Sequence, residues 1–370
     1  MKVATSIVLG NKANPELAAQ AVSQAMQRAG ITVASSVLLL LSAEFANNPQ
    51  PAIKAAAKAA NCMLVMGCTA SGIFTEDDWV LDAPAAAVMV FSDGVSLQPA
   101  NQNHRHQPLF TLTAPNAINS TWLNDGNTRF GGVSGDAIGQ GHFSVWENAK
   151  GETSGQIEAF FAGVQLVTQV SHGLQMLSQP QKIESVSGFD ITQLTNKLPL
   201  LSLQKAWKAH SKNHEAIPLH LLMAIYADNA EAINHGNFQQ TNIIAYNELS
   251  GSITIAQPLK AGQFISWGLR EKTVAEADMA LITHQMKLEL DADPSFGLLF
   301  SSLARGPYLY DGIDRDLKVI TQQLPNMPLL GFYGNGQIVP IAGKNQFLPH
   351  SAVLSLFAVL NEQANASISK

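Results

Sequence analysis

Short apolar runs alternate with amphipathic segments along the first sixty residues. Residues 1–9 form an apolar run of strand length, and Ser36–Leu41 forms a second one. A continuous run of this kind is typical of a strand that is covered on both faces. Between the two runs, apolar residues recur at helical spacing from Pro15 onward until Gly30, which ends the predicted helix. This part of the chain therefore predicts an α/β arrangement.

The next segment adds a glycine-rich loop to the pattern. An Ala-rich helix is predicted from about Pro51 to Ala60, followed by a buried strand over Cys62–Met66. The loop Gly67–Gly72 comes directly after this strand, and a return strand is predicted over Ala85–Phe91. Glycines at the end of a strand permit a positive φ or a close approach of two backbones.

The C-terminal part repeats the same order of elements. A short apolar strand over Gly297–Ser301 precedes a predicted helix over Asp311–Gln323. A buried strand at Pro328–Leu330 then leads into a second glycine loop, Gly331–Gly336, and a last strand spans residues 351–359. We predict a mixed α/β (α+β) fold of two pseudo-repeated halves, with β-sheets covered by helices and both glycine loops beside one cleft.

The segment between these halves has a weaker pattern. It reads as β-structure around the Gly-rich stretch Phe130–Asp136. Further on, Thr273–Glu276 matches the S/T-x-x-E capping box and opens a predicted helix that extends to about residue 290. We assign the inner face of that helix to four apolar residues: Val274, Ala277, Leu281 and Leu288.

Charge and cysteine content restrict the function classes. The net charge is −6 and the sequence pI is about 5.9, so the chain lacks the positive charge typical of nucleic-acid binding. Two cysteines, Cys62 and Cys68, exclude a disulfide framework. The first residues lack the apolar core of a signal peptide, and apolar runs fall short of the roughly 20 residues of a spanning helix. We predict a cytoplasmic protein without a membrane partner.

Several segments of the chain resemble the FIST family. They are residues 36–45, 65–74 with 85–91, 130–136, 298–306, and 329–338 with 347–350. The resemblance implies an N-terminal FIST-like domain over residues 1–200 and a C-terminal one over residues 201–370. It also implies a sensory, signal-transduction role in which a small ligand such as an amino acid is bound, with no established catalytic residues. Two positions depart from the family pattern, which usually has Glu at Gln337 and often has Cys at Leu303.

The candidate ligand-binding residues lie in or near the glycine-rich segments. They are Gly67, Cys68, Thr69, Ser71, Gly72, Asp136, Arg305, Tyr333, Asn335, Gln337 and His350. Backbone N–H groups of the first loop can bind an anion, and Asn, Gln and His side chains can orient a polar ligand. The predicted ligand is therefore a small polar molecule such as an amino acid or a small carboxylate.

Several of these residues have a second interpretation. The loop Gly67–Gly72 is either an anion site or a tight turn. Arg305 either forks to a ligand carboxylate or forms an internal salt bridge. Asp136 either faces a pocket or caps its own loop, and Asn335 either contacts a ligand or bonds its own backbone. Cys68 is either a nucleophile or a small buried residue.

Three functions follow from these alternatives. The first is a sensor that binds a small polar ligand between the two halves and signals to a separate protein. The second is a protein-interaction scaffold without a ligand, and the third is a hydrolase or transferase that uses Cys68. No catalytic residues and no cofactor are predicted. No metal site is predicted either, because His210 and His214 lie four residues apart without a third ligand.

Overall fold

A computed structural model of the chain describes residues 2–92, 94–100, 107–136, 139–151, 155–211 and 216–360. The chain forms two compact units, of which the first combines Met1–His172 with Asp278–Lys370 and the second is Gly173–Ala277. These bounds differ from the predicted division at residue 200, because strands from both ends of the chain share sheets in the first unit. The assignment of residues 1–200 and 201–370 as family domains stays a prediction.

The elements follow one another in four stretches. The first contains β1 (Lys2–Leu9), α1 (Glu16–Ala29), β2 (Ser36–Ser42), α2 (Gln50–Ala60), β3 (Val65–Ala70), β4 (Gly72–Thr75), β5 (Trp79–Leu81) and β6 (Ala85–Ser92). The second contains β7 (Ser96–Pro99), β8 (Leu109–Thr113), α3 (Ser120–Leu123), β9 (Arg129–Val133), β10 (Val145–Glu147), β11 (Lys150–Gly151) and β12 (Gln156–Ala162). The third contains β13 (Val164–Ser171), β14 (Leu174–Met176), β15 (Gln181–Ser187), β16 (Asp190–Leu194), α4 (Pro199–His210), β17 (Leu222–Ala227), α5 (Ala230–Asn234), β18 (Gln239–Tyr246), β19 (Ile253–Ile255) and β20 (Phe264–Arg270). The last contains α6 (Lys272–Glu289), β21 (Phe296–Ser302), α7 (Gly306–Leu309), α8 (Arg315–Gln323), β22 (Leu329–Gly334), β23 (Gly336–Ile341), β24 (Lys344–Leu348) and β25 (Ala352–Val359).

Three sheets of the first unit share one strand order. The orders are β1-β6-β2-β3, β7-β12-β8-β9 and β13-β25-β21-β22. In each, the last two strands are parallel and the other neighbours are antiparallel. The unit is therefore built from three structural repeats, and residues 173–277 are inserted in the third. The two predicted copies are the first and third repeats, and the weaker middle segment is the second.

Each repeat gives a β-hairpin to a neighbouring sheet. The hairpin β4–β5 follows β3 but pairs with β22 of the third repeat. Likewise, β10–β11 pairs with β3 of the first repeat, and β23–β24 pairs with β9 of the second. Each sheet is thus completed by a strand from elsewhere in the chain, and the three repeats are joined in a closed cycle.

One glycine occupies the same position in each repeat. Gly67, Gly131 and Gly331 lie on β3, β9 and β22, each opposite a residue of the parallel neighbouring strand. A Cβ atom at these positions would lie 1.7, 1.9 and 2.1 Å from a carbonyl oxygen of that strand. No side chain fits at such distances, so glycine is required here for close backbone contact.

Apolar side chains from all three sheets form one interior cluster. It includes Met66 of the first repeat, Phe110 of the second and Phe357 of the third. Helices α1 and α2 cover the outer face of the first sheet, and α6 and α8 cover that of the third. The central strands of the first and third sheets are therefore buried on both faces, as their continuous apolar runs predict. These strands are β2, β3 and β6 in the first sheet and β21, β22 and β25 in the third.

The second compact unit is a small antiparallel barrel. Its strands follow the order β15-β16-β19-β18-β17-β20, and β20 closes the ring by pairing with β15. Helix α4 places Leu203 in the barrel core beside Trp267. The indole nitrogen of Trp267 donates to the Ser202 hydroxyl at 3.0 Å, so this large buried side chain also has a polar partner.

Two expectations from the sequence are wrong in detail. Strands β3 and β22 extend to Ala70 and Gly334, so most of each predicted glycine loop is strand, because the glycines serve close packing and not only turns. The inner face of α6 is formed by Met279, Ile282 and Met286. Three of the residues assigned to it from the sequence are exposed instead: Ala277, Leu281 and Leu288.

The glycine contact gives a direct test of this fold. We expect Gly331→Ala to lower the free energy of unfolding by at least about 3 kcal/mol, since its Cβ would press on a backbone carbonyl oxygen. The control is Gly312→Ala, at a position with φ 92° and open space around the Cβ, where a cost of only about 1 kcal/mol is expected. Urea denaturation measures both, and equal losses would contradict the packing argument.

Candidate functional site

The three repeats meet at the segments that lead from their third strands into the exchanged hairpins. We call these segments, Thr69–Gly72, Val133–Asp136 and Tyr333–Gly336, the turn ring. They occupy equivalent places, since each follows the close-packed glycine of its strand by two residues. Polar side chains are therefore concentrated where the three sheets meet.

Contacts join the segments of the turn ring in pairs. The Ser134 hydroxyl donates to the Thr69 carbonyl at 2.6 Å, which joins the first and second segments. The backbone N–H of Asn335 donates to the Val133 carbonyl at 3.1 Å, which joins the second and third segments. Tyr333 pairs with Gly72 across β22 and β4, which closes the ring. The predicted proximity of the two glycine loops is confirmed, and the Gly-rich segment of the second repeat joins them.

Gln337 is the first residue after the turn ring, and it is fully buried. It pairs with Gly132 across β23 and β9. Its side chain lies on the same face of β23 as that of Val339, which belongs to the interior cluster. The residues at the same register in the other two sheets are Ile73 and Val145, and both belong to that cluster. The fold thus uses an apolar residue at two of these three positions and an amide at the third.

Two side chains in the turn ring or directly after it have buried polar atoms without a hydrogen-bond partner among the described residues. They are the Gln337 amide, at both its oxygen and its nitrogen, and the Ser71 hydroxyl. On the adjoining strands, Thr111, Trp146 and Ser301 each have one such atom as well. An unsatisfied buried polar group costs about 1–3 kcal/mol, so native proteins retain few of them. The site therefore offers one acceptor, one amide donor and one hydroxyl to a molecule that can reach them.

The other polar side chains of the turn ring differ in their burial and in whether they already have hydrogen-bond partners. The Thr69 hydroxyl accepts the Ser144 amide at 3.1 Å, and Asn335 is only half-buried beside Gly135. The Asp136 carboxylate accepts the amides of Gly139 and Gly141, the latter at 2.9 Å. Asp136 therefore caps its own loop, which decides between the two roles left open by the sequence.

Tyr333 connects the turn ring to a buried charged network. Its ring packs on Phe74, with centroids 4.8 Å apart, and its hydroxyl donates to Asp314. Asp314 also accepts the Leu317 amide at 2.9 Å and so caps helix α8. Burial and the nearby Asp316 carboxylate raise the pKa of Asp314 to about 6.

Arg305 belongs to this network and does not face a ligand. Its guanidinium forks to Asp316, with distances of 2.6 and 3.1 Å, and both side chains are almost fully buried. It also donates to the carbonyl and the hydroxyl of Ser171, each at 2.7 Å. The predicted contact with a ligand carboxylate is therefore replaced by the internal salt bridge, since the nitrogens that would form the fork are already paired.

Cys68 lies in the interior cluster without exposed surface. Burial raises the pKa of its thiol, so the thiolate that nucleophilic attack requires is disfavoured. Gly67 and Gly72 have packing roles, because a Cβ at either would meet backbone or side-chain atoms below 3 Å. These positions support the turn ring but present no polar side chain to it.

His350 follows β24 and adopts a left-handed conformation with φ 58° at the connection to β25. Of the two histidines considered for a metal, His214 lies outside the described residues. Within the part of the chain that the structure describes, no group of three His, Cys, Asp or Glu side chains could hold a metal ion. In that same part, no helix has both the length and the apolar character needed to cross a membrane.

Comparison with known proteins agrees with the family resemblance. The model of the family described as FIST C domain matches residues 202–340, which confirms the resemblance for the C-terminal part. Two relatives are described as uncharacterized: Rv0628c of Mycobacterium tuberculosis and Mb0898c of Mycobacterium bovis. Each is 27% identical over 234 residues, which are 63% of this chain. The chain spans 61% of the length of these relatives.

The Arg305 network predicts a large loss of stability on substitution. We expect Arg305→Ala to lower the free energy of unfolding by about 3–5 kcal/mol, because it leaves the Asp316 carboxylate buried without its partner. The control is Arg28→Ala, which removes a half-exposed ion pair with Asp77 and should cost under about 1 kcal/mol. Similar losses for both variants in chemical denaturation would contradict a buried ion pair.

Asp314 predicts a pH dependence of stability. Because its pKa in the folded state is raised to about 6, the folded state binds more protons than the unfolded state between the ordinary aspartate pKa and about pH 6. The contribution of Asp314 to the free energy of unfolding is then fully present below the ordinary aspartate pKa. It is lost as pH rises through about 6, by up to ~1.4 kcal/mol per pH unit. Asp314→Asn keeps a capping oxygen and should flatten this slope, whereas the exposed Asp311→Asn should not. The measurement is the free energy of unfolding of the wild type and both variants across this pH range, and an unchanged slope in Asp314→Asn would contradict the prediction.

Proposed function

We propose that this protein is a sensory module that binds a small polar ligand at the turn ring and signals to a separate protein. The observation that carries the proposal is the fully buried Gln337 amide, whose oxygen and nitrogen both lack a partner among the described residues. The same register position holds Ile73 and Val145 in the other sheets, so packing alone does not require an amide. The match to the FIST C domain supports the sensory role by family.

The available groups favour a ligand that is recognised by neutral hydrogen bonds. Gln337 offers an acceptor and a donor, Ser71 offers a hydroxyl, and the half-buried Asn335 adds a second amide near the surface. Such sets orient small molecules and discriminate strongly against analogues that leave a buried polar group unpaired. Since Arg305 is occupied by Asp316, a free carboxylate would have to be bound without an arginine fork. An amino acid fits the proposal if its amino and side-chain groups form the hydrogen bonds to these residues.

A signal can arise because the turn ring joins three separate repeats. A ligand that bonds Ser71 of the first repeat and Gln337 of the third adds a link between segments of two different repeats. Ligands shift a conformational equilibrium only by their differential affinity for its two states. We propose that the bound state favours one arrangement of these segments and that the partner protein recognises it.

A ligand-free scaffold is the second candidate function. The observation that favours it lies in the second unit, where Ile244 and Tyr246 of β18 and the following Leu249 are exposed, the last fully. Exposed apolar residues that are close in sequence are typical of protein-binding surfaces. A Cys68-dependent hydrolase or transferase has no such support, because the thiol is buried and its pKa is raised.

The first experiment is native mass spectrometry of the freshly purified chain, followed by thermal unfolding with the twenty amino acids and a set of small amides and carboxylates. A co-purified small molecule, or a melting temperature that rises and saturates with one compound, supports the sensor. The absence of both over millimolar concentrations would favour the scaffold.

Gln337→Ile separates binding from folding at this position. We expect the variant to fold with a free energy of unfolding raised by about 1–3 kcal/mol, because the unsatisfied amide is replaced by the side chain that Ile73 provides in the equivalent place. It should lose the saturable thermal shift. The control Val145→Ile alters volume at the third equivalent position and should keep that shift. A Gln337→Ile variant that is destabilised instead would show that the amide serves the fold.

A further inference from the structure

A cleft in the first repeat lies between helix α2 and the hairpin β10–β11. Its volume is about 750 Å³, and its lining includes Lys54, Ala57 and Lys58 of α2, Cys62 and Met63 after it, and Lys150 of the hairpin. This volume falls in the range of about 300–1,000 Å³ that is typical of small-molecule sites. We infer that this cleft is a second binding site, which takes an amphipathic anion with an apolar body and one carboxylate or phosphate head group.

Hydrogen bonds fix the two walls of the cleft. Gln50, at the start of α2, donates from Nε2 to the carbonyl of Ala149 in the hairpin turn at 2.8 Å. The Ala149 amide in turn donates to the carbonyl of Val65 on β3 at 3.2 Å. Ala149 also has a left-handed backbone with φ 59°, which an alanine adopts only at a cost in energy. These hydrogen bonds therefore fix the position of the hairpin turn, which belongs to the second repeat, against α2 and β3 of the first.

Three lysines give the cleft a local positive charge. Lys54 and Lys58 lie one helical turn apart on α2, where like charges repel, and Lys150 lies on the facing hairpin. None of the three forms an ion pair within the described residues, and the lining contains no acidic side chain. The chain as a whole has a net charge of −6, so this concentration of cations runs against its overall charge.

A second, smaller cavity of the first unit differs from this cleft in both lining and charge. It has a volume of about 300 Å³ and lies between the connection from α6 to β21 and the connection from α8 to β22. Prolines line it, and its lysine, Lys287, lies 3.9 Å from the Asp293 carboxylate. It contains no residue of an exchanged hairpin, and its lysine has an acidic partner, whereas the three lysines of the larger cleft have none within the described residues.

Apolar groups lie beside the lysines. Ala57 is buried at the base of the cleft, while Met63 is 69% exposed, which is unusual for a large apolar side chain. The half-buried Cys62 thiol lies next to Met63. An aliphatic or aromatic body can cover these groups while its head group pairs with two or three ammonium groups, since neither attraction alone gives much affinity at a surface.

This inference is independent of the proposed sensor, because the cleft and the turn ring share no residue. Calorimetric titration of the purified chain with decanoate and with decyl phosphate, both below their micelle concentrations, tests it. We expect saturable binding of at least one of them, and the tighter of the two identifies the head group. The uncharged decanol should bind at least tenfold more weakly. Equal binding of decanol would overturn the inference, as would no binding of either anion.

Variants locate the binding in the cleft. Lys54→Gln/Lys58→Gln should weaken binding of the better anion at least tenfold. The matched control is Lys205→Gln/Lys208→Gln, which removes the same charge from exposed positions of α4 and should leave the affinity within twofold. Equal weakening in both variants would indicate a general charge effect and would overturn the inference.

The cleft also contains a natural probe. Cys68 is fully buried, so N-ethylmaleimide should react at Cys62 in the folded chain. We expect the saturating anion to slow this reaction at least fivefold in the wild-type chain but not in Lys54→Gln/Lys58→Gln at the same concentration. An unchanged rate in the wild type, with binding detected by calorimetry, would place the anion elsewhere and overturn the assignment to this cleft.

Discussion

The close backbone contact at three equivalent glycines is the constraint on which the first unit depends. At Gly67 and Gly331, the side chain of the incoming hairpin, Trp146 or Phe74, packs over the place that a Cβ would fill. The glycine thus serves two neighbours at once, the parallel strand and the exchanged hairpin. Because every sheet gains its next strand in this way, the junction of the repeats is a property of the backbone, and side chains near it are left available for chemistry.

The interior positions beside these glycines show how the fold separates stability from function. Ile73 and Val145 contribute to the interior cluster, whereas Gln337 brings two unsatisfied polar atoms to the same register. A buried amide without partners is a cost that the apolar alternatives avoid. Buried polar groups of this kind are explained by water, by a ligand or by a role in specificity. The Ser71 hydroxyl of the turn ring also lacks a partner among the described residues, which is consistent with the proposed ligand.

Much of the fold could be predicted from the sequence, because the first and third repeats have strongly apolar strands of the doubly covered kind. The second repeat could not, since its crossover has only the four-residue helix α3 and its pattern is weak. One signal is present in the sequence: Gly131–Asp136 begins with a glycine after short apolar residues and leads into a polar stretch, as Gly67–Gly72 and Gly331–Gly336 do. The sequence predicts the candidate loops but leaves two roles open for Arg305, because Asp316 and Ser171 approach it only in three dimensions. The inner face of α6 was misassigned, since its apolar residues occur on more than one side of the helix.

The exchange of hairpins also bears on what the family match means physically. Residues 202–340 contain part of the small barrel and β21, β22 and most of β23. In the whole chain, however, β22 pairs with β4 and β23 pairs with β9, both of which belong to the first 133 residues. The neighbour of β21 on its other side, β25, lies beyond residue 340. A fragment of the matched residues would leave these strand edges unpaired, which favours aggregation. The matched segment is therefore a unit of sequence similarity, whereas the unit that buries its own core is the complete cycle of three repeats.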